Sequence, residues 1–388
     1  MIKSIQSVKV TGRRVIVRAG FDVPVENGRI MDDTRIRNVL PTLNYLIKEK
    51  AKIIIVSHLG RPKGWDQQFS LASVAERLGE LVKAKVTFAA DDITKQDLSG
   101  MSHDIPDGSI LFLENVRFYP SNQDNDEKFA EILAAFGDVF VNDAFSVAHR
   151  QEASTFGLAE KLPSYAGINF LKEIEVLGRI IRAPMAPFIF MVGGAKVEDK
   201  VEVIEFLSKH VQHVLVGGAS ANTFLKARGF EVGQSRVSDT QSARHILRNH
   251  KDKIILPVDV VVAKDENSEA RVVRLDQIQP DDIIYDIGPE TIGKYSKYIK
   301  TARTLVWNGP FGLFETPKFA TGSRALAQVF ASRAKGPAFG VIGGGETVEL
   351  FDQVKASEFV DHISTGGGAM LEFLAGRKLP AIKALESK

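Results

Sequence analysis

The sequence predicts an α/β protein built from two doubly wound, parallel-sheet domains of Rossmann-like type, joined by a connector helix. Three observations carry that expectation. Short β-branched runs alternate with longer stretches of helical period. The runs show no internal apolar–polar alternation, which marks strands covered on both faces. A helical segment closed by two prolines divides the chain into halves that punctuate their strands differently.

Taken in order, Ile36, Val39, Leu40, Leu43, Leu46 and Ile47 recur at helical spacing, and Pro41 is expected to kink or shorten that helix. Ile53-Ile54-Ile55-Val56 reads as a buried strand. Leu71, Val74, Ala75, Leu78, Leu81 and Val82 return to the helical period, with Ser70 as the expected N-cap. Ile110 to Leu113 and Val139 to Val141 are further strands. Lys172 to Arg182 places Ile174, Leu177 and Ile181 on one stripe, before Pro184 and Pro187 forbid its continuation. Phe188 to Val192, Val214 to Val216, Ile254 to Leu256 and Thr304 to Trp307 repeat the strand grammar. The expected organisation is a first domain over 1–170, a connector over 171–185, a second domain over 186–374 and a tail over 375–388.

At 388 residues the chain has room for two domains of ~100–200 residues each. Its 50 Lys and Arg balance 48 Asp and Glu, which argues against nucleic acid or an acidic membrane as the main partner. The absence of cysteine excludes disulfides, thiolate metal sites, iron–sulfur clusters and cysteine nucleophiles. Met1 to Gln6 offers no signal-peptide core, and no apolar run approaches the ~20 residues of a membrane span. A soluble, cytoplasmic, monomeric protein acting on small molecules is expected.

Ligands of open parallel sheets lie at the carboxyl ends of the strands. In the first half those ends carry Arg18, His58-Leu59-Gly60-Arg61, Glu114-Asn115-Val116-Arg117 and His149-Arg150, while Arg35 and Arg37 open the first helix. One such arginine would read as a solvated surface charge. Their convergence suits a carboxylate- or phosphate-bearing small molecule, which guanidinium forks grip bidentately. His58, beside Arg61, reads as a neutral hydrogen-bonding group rather than a general base. No spacing suggests a protein-only transition-metal site, and no Gly-x-Ser-x-Gly elbow suggests a serine hydrolase.

In the second half, four apolar runs end in glycine: Gly193-Gly194, Gly217-Gly218, Gly343-Gly344-Gly345 and Gly366-Gly367-Gly368. One doublet would merely permit a tight turn. Four, each before a helix, offer the free N–H groups that a polyphosphate needs. Lys196 and Lys200 follow at i,i+4 and could neutralise a phosphoryl group in flight. P-loop, protein-kinase and dinucleotide signatures are missing, so a nicotinamide dehydrogenase, although allowed by the fold, lacks its usual phosphate loop. An anionic substrate in one domain and a nucleotide in the other suggest a phosphotransferase that works by closing the domains together.

The motifs resemble phosphoglycerate kinase nearly end to end, from Val15-Ile16-Val17-Arg18 to Leu379-Pro380. The specific stretches are Ser57 to Gly64, Leu113 to Phe118, Asn142 to Phe145, Ala148-His149-Arg150, Gly193 to Val197, Trp307 to Pro310, Phe314-Glu315 and His362 to Ala369. The resemblance implies reversible phosphoryl transfer from 1,3-bisphosphoglycerate to Mg-ADP, giving 3-phosphoglycerate and ATP. It implies that the triose acid lies against Arg35, His58, Leu59, Gly60, Arg61, Arg117, Arg150 and the segment Gly20-Phe21-Asp22. The nucleotide would contact Lys196, Lys200, Gly288, Glu315, Gly344, Gly345, Glu346 and Thr347, with Glu346 toward Mg²⁺. Arg35, Lys196, Lys200 and the N–H groups of Gly366, Gly367 and Gly368 would stabilise the transferring group, with no covalent intermediate. The tail would pack on the first domain.

The chain departs from the family pattern at a few positions. Gly20 and Asp22 stand where an acidic residue and an asparagine are usual. Ser146-Val147 replaces Gly-Thr, Glu346 replaces Asp, Glu198 follows Lys196-Val197, and Glu290 stands where Lys is common. A phosphoglycerate-kinase-like protein that binds ligands with little activity, as a sensor or scaffold, is the alternative reading.

Overall fold

The computed structural model describes residues 2–94, 99–194 and 197–386. It divides into two compact units, Met1–Glu175 with Lys378–Lys388, and Val176–Arg377. The division falls inside the helix Ile168–Arg182, which begins upstream of the expected Lys172. Its start is fixed by distant partners: Asp143 Oδ1 accepts from the N–H of Phe170 at 2.8 Å, and Thr42 Oγ1 accepts from Ile168 at 2.9 Å. Local sequence carries no trace of either. The C-terminal helix Pro380–Glu386 belongs to the first unit, where Ala381 N–H donates to the Ala148 carbonyl at 3.1 Å.

The first unit holds a six-stranded sheet in the order Val86–Ala89, Ile110–Leu113, Lys52–Val56, Arg14–Ala19, Val139–Asp143, Ser164–Ala166. Every pairing is parallel. Successive residues serve opposite cores: Ile53 and Ile55 join the cluster under the helices Thr34–Lys48 and Ala72–Leu81, while Ile54 and Val56 join the one containing Phe129, Leu133 and Leu158. Two covered faces explain why these strands read as unbroken apolar runs. Trp65, half exposed at 49%, lies on this unit's surface against Phe118, ring centroids 4.8 Å apart.

Two expectations need correction here. The helix Thr34–Lys48 is not shortened at Pro41 but continues through it. Proline removes only the N–H that would have met the Arg37 carbonyl, and the buried Ile36, Val39, Leu43 and Leu46 hold both halves on the sheet. Ser70 is not the N-cap of Ala72–Leu81; Leu71 is, without a side-chain cap bond. Ser70, one residue earlier, accepts from Ala72 N–H at 3.3 Å while donating its own proton to Glu114 Oε2 at 2.6 Å, so one hydroxyl serves both the helix start and the buried carboxylate.

The second unit has its own six-stranded parallel sheet, ordered Ile254–Ile255, His213–Val216, Phe188–Val192, Thr304–Asn308, Phe339–Gly343, His362–Ser364. A three-stranded antiparallel sheet of Asp259–Ala263, Arg271–Arg274 and Ile283–Ile287 accompanies it. The sequence reading missed that sheet. Trp307, fully buried, packs among Phe311, Phe330 and Phe351, and its Nε1–H donates to the Gly309 carbonyl at 2.7 Å. Among the described residues no helix is long and apolar enough to cross a membrane.

Candidate functional site

In the first unit the arginines do not play equivalent parts. Arg18, fully buried, donates to Ser154 Oγ (3.1 Å), the Ala19 carbonyl (2.6 Å) and His58 Nδ1 (2.9 Å). Burial brings its pKa down to about 10, which leaves it charged. It supports the site rather than facing a ligand.

Because His58 Nδ1 accepts from Arg18, its proton sits on Nε2, 3.7 Å from Asp22 Oδ2. Burial lowers its pKa to about 4 against the pull of Asp22, so the ring is neutral at pH 7. It can donate a hydrogen bond from Nε2 but does not serve as a cation. Asp22 accepts from Gly60 N–H at 2.8 Å. Burial alone would raise its pKa, yet His58, the Gly60 N–H and Arg35 together hold it well below the usual carboxylate range.

Arg35 donates to the Asp22 carbonyl and lies 3.7 Å from that carboxylate. Arg117, 4% exposed, donates Nη1 to the Gly60 carbonyl at 2.7 Å. Gly60 can serve both neighbours through its main chain because its φ is +62° and a Cβ there would lie 2.3 Å from the Phe69 ring. Arg61 is exposed, and Arg150 is partly exposed beside His149. Arg37 is held by Asp33 at 2.7 Å, outside this group.

Phe21 and Leu59 are core residues, so only their main chain is free to face a ligand. Gly20 packs closely, and a Cβ there would lie 3.1 Å from Ser146 Oγ. One residue that the sequence reading passed over stands among the guanidiniums. Glu152, 2% exposed, lies within 3.9 Å of Arg18, 3.7 Å of Arg117 and 3.6 Å of Arg150.

The second unit builds its site from main chain. A cavity of about 600 Å³ is lined by Gly193, Gly194, Lys200, Asn308, Gly344, Glu346 and Gly367 among others. A second cleft of about 420 Å³ is lined by Gly218, Tyr285, Phe311, Leu313, Glu315 and Glu346 among others. Four helices begin at these walls: Glu198–Leu207, Gly218–Ala227, Gly345–Gln353 and Gly367–Leu374. Their N-termini aim partial positive charge at the space they enclose.

The glycines are there for contact as well as for turns. A Cβ on Gly193 would lie 2.0 Å from the Pro310 carbonyl oxygen, and Gly344 takes a φ of +95°. Asn308, missed from sequence, ties the loops together by donating Nδ2 to the Gly343 carbonyl at 2.8 Å. Thr347 Oγ1 accepts from Gly309 N–H at 2.8 Å.

Lys200 is buried and lines the larger cavity, with Gly345, Thr347 and Gly368. Lys196 lies outside the described residues, and the helix that it was expected to share with Lys200 begins at Glu198. Gly366 forms the N-cap of Gly367–Leu374. Gly288 lines neither cleft; it caps the helix Pro289–Thr301, pressed against the Asp259 carboxylate.

The departures at 198 and 290 also find places. Glu198 lines the larger cavity while accepting from Asp239 N–H at 2.8 Å, and Glu290 pairs with Arg274 at 3.4 Å. The arrangement thus offers a guanidinium-lined anion site in one unit and helix N-termini with a buried lysine in the other.

Comparison with known proteins gives this geometry a family context. A family model described as phosphoglycerate kinase matches residues 5–377. The phosphoglycerate kinase of Pelotomaculum thermopropionicum is 46% identical over 394 residues, covering 100% of this chain and 99% of its own. That of Dictyoglomus turgidum is 42% identical over the same shares. Among solved structures, the phosphoglycerate kinase from Coxiella burnetii aligns with a TM-score of 0.84 at 37% identity, over 100% of this chain and 99% of that one. The phosphoglycerate kinase from Pyrococcus horikoshii OT3 gives 0.85 at 32%, over 99% and 98%.

Proposed function

The chain belongs to the phosphoglycerate kinase family, and from that premise we propose how its residues divide the work. The reaction is reversible phosphoryl transfer from 1,3-bisphosphoglycerate to ADP, giving 3-phosphoglycerate and ATP. The triose acid binds the first unit, against Arg35, Arg61, Arg117, Arg150 and the Nε2–H of His58. The observation that carries this is the set of guanidiniums around the Gly60 loop, with Arg18 spent on fixing the tautomer of His58. Gly20, Phe21, Asp22, Leu59 and Gly60 shape the floor through their main chain and the Asp22 carboxylate.

The nucleotide binds the second unit. Its base and ribose suit the apolar cleft with Tyr285, Phe311 and Glu315, and its phosphates suit the cavity with Lys200, Gly344, Gly345 and Thr347. Gly288 is the weakest of the nucleotide contacts, since it lines neither. Arg35, Lys196, Lys200 and the N–H groups from Gly366 to Gly368 stabilise charge on the transferring group. Catalysis is positioning plus preorganised charge, as phosphoryl transfer requires.

Magnesium fits the donors present. It takes one or two carboxylates plus substrate phosphates rather than an all-protein cage, and Glu346 is an exposed carboxylate lining both clefts. Glu346 would hold the ion, which neutralises phosphate charge when bound.

The protein is proposed to work as a cytoplasmic monomer, without nucleic-acid or membrane partners. Light scattering of the purified chain checks the monomer. A coupled assay with ATP and 3-phosphoglycerate, alongside calorimetric titration of each ligand, tests the assignment. Turnover in which Arg117→Ala and Arg150→Ala leave 3-phosphoglycerate affinity unchanged would remove the acid from the first unit's arginines.

A further inference from the structure

Glu152 has no part in the assignment above, yet it stands at the centre of the arginines. It is 2% exposed and leads into the helical turn Ala153–Gly157. Its main-chain N–H donates to Thr155 Oγ1 at 3.3 Å, and its Oε2 accepts from Asn122 Nδ2 at 3.4 Å. Three guanidiniums surround the carboxylate. Arg18 Nη2 lies 3.9 Å from Oε2, while Arg117 Nη2 and Arg150 Nη1 lie 3.7 and 3.6 Å from Oε1.

These distances matter because they are long. A charge-assisted N–H···O bond closes to ~2.7–2.9 Å, and buried ion pairs hold together best when they do so. Here Oε1 accepts no hydrogen bond at all. Glu152 therefore acts on Arg117 and Arg150 through charge alone and consumes none of their donors. Arg18 uses three of its five N–H donors on Ser154, Ala19 and His58, and its Nη2 stays 3.9 Å from Glu152, so it acts on the carboxylate through charge rather than a short hydrogen bond. The carboxylate offsets that charge and leaves to a ligand the donors of Arg117 and Arg150 that Gly60 and His149 do not take.

We propose that Glu152 is a resident counter-ion of the acid site, a positioning residue that weakens the hold of Arg117 and Arg150 on the phosphorylated acid. The inference rests on the assignment of the triose acid to these arginines. A dianionic ligand arriving at the two forks meets a fixed negative charge behind them, so its affinity is lower than the arginines alone would give. The same charge keeps three guanidiniums together before the ligand arrives.

The test is calorimetric titration of the full chain with 3-phosphoglycerate and, separately, with inorganic phosphate, at low and high salt. Glu152→Gln keeps the shape and an acceptor for Asn122 while removing the charge. It should tighten 3-phosphoglycerate binding ~10-fold or more at low salt, the gain shrinking at high salt. KM for 3-phosphoglycerate should fall in step, with KM for ATP unmoved. Inorganic phosphate should follow the same direction.

Glu152→Asp, which draws the charge back by one methylene, should give a smaller tightening of roughly 2–3-fold, in line with the distance dependence of charge interactions. That variant decides the matter if Glu152→Gln does not fold. Unchanged or weaker binding in a folded variant overturns the proposal and leaves Glu152 a structural residue. Arg117→Ala separates the two levels. If it leaves affinity unchanged, the assignment of the site fails; if it weakens binding while Glu152→Gln binds no tighter, only the counter-ion inference fails.

Discussion

In the first unit the candidate site is made of side chains projected from separate elements, whereas in the second it is made of main chain bent through glycines. Arg35, Arg117, Arg150 and His58 come from four places in the sequence: Arg35 and Arg117 are held by main-chain carbonyls, His58 by Arg18, and Arg150 lies against His149. The second site has one described lysine, Lys200, and otherwise relies on helix ends whose close approach a Cβ would block. A small acid with two anionic ends needs directional forks. A polyphosphate needs many N–H groups at close range. The first kind of site should fail when atoms are removed, the second when atoms are added.

The largest test of that contrast is Arg35→Ala. Losing a stabiliser of the transferring phosphoryl should lower kcat by ~10³-fold or more. ADP affinity, measured by titration, should stay near the parent's because the nucleotide clefts contain no part of this helix. A variant retaining over a tenth of the activity would assign the role elsewhere.

The second test adds atoms instead. In Gly193→Ala the new Cβ would meet the Pro310 carbonyl at 2.0 Å, a contact that backbone must yield to. Overpacking of this kind costs ~1–3 kcal/mol, and ADP affinity should fall by ~10-fold or more while 3-phosphoglycerate binding holds. Gly293→Ala, in the helix Pro289–Thr301 away from both clefts and with nothing within 4 Å of the new Cβ, should bind ADP like the parent. If the two alanines behave alike, close approach is not what these glycines provide.

A third experiment sharpens the contrast inside the first unit. Two of the family departures are neighbours: a side chain at 20 would press on Ser146 Oγ at 3.1 Å. Gly20→Asp alone should therefore lower the melting temperature, consistent with a cost of ~1–3 kcal/mol. With Ser146→Gly added, stability should return. The restored carboxylate should then raise kcat/KM for 3-phosphoglycerate by up to ~10-fold. Identical melting curves for the single and double variants would mean that the two departures are unrelated.

The smallest effect is one of pH. Burial raises Asp143 in the first unit and Asp286 in the second, each to about 7. Folded values above unfolded ones give stability that is present below the unfolded value of 3.8 and lost as pH rises through about 7. His58 has the opposite sign: its folded value of about 4 lies below 6.5, so stability is lost as pH falls between them. From these groups, acidification from about pH 8 to 5 should stabilise the second unit more than the first. Hydrogen exchange at several pH values would report each unit, and Asp286→Asn should flatten the second unit's trend. Equal slopes in both units would break this part of the comparison.

Much of this was written locally. Unbroken apolar runs such as Ile53 to Val56 announced strands with two covered faces, and glycine doublets at strand ends marked the second unit's loops. What escaped the sequence reading depends on distant partners. Glu152 gains its meaning from Arg18 and Arg117, far away along the chain; its one local hint was an acid two residues after Arg150. Gly20 and Ser146 looked like separate departures until the fold made them neighbours. Pro41 did not shorten its helix because tertiary packing overrides a single missing hydrogen bond. The small antiparallel sheet hid because its strand Arg271–Arg274 is mostly exposed and its Val-rich partner looks like any buried run.

The two tryptophans give the molecule a spectroscopic division of labour. The chain has only Trp65 and Trp307, one in each unit. Trp307 is sealed among phenylalanines, and its ring proton holds the Gly309 carbonyl in the loop between the clefts. Trp65 is half in water. A single emission spectrum therefore contains a short-wavelength component from the second unit and a long-wavelength one from the first. Collisional quenchers reach the second component first. Titrating ADP should perturb the sealed indole and leave the quenchable one alone, so the wild-type protein can report which half a ligand has entered without any label.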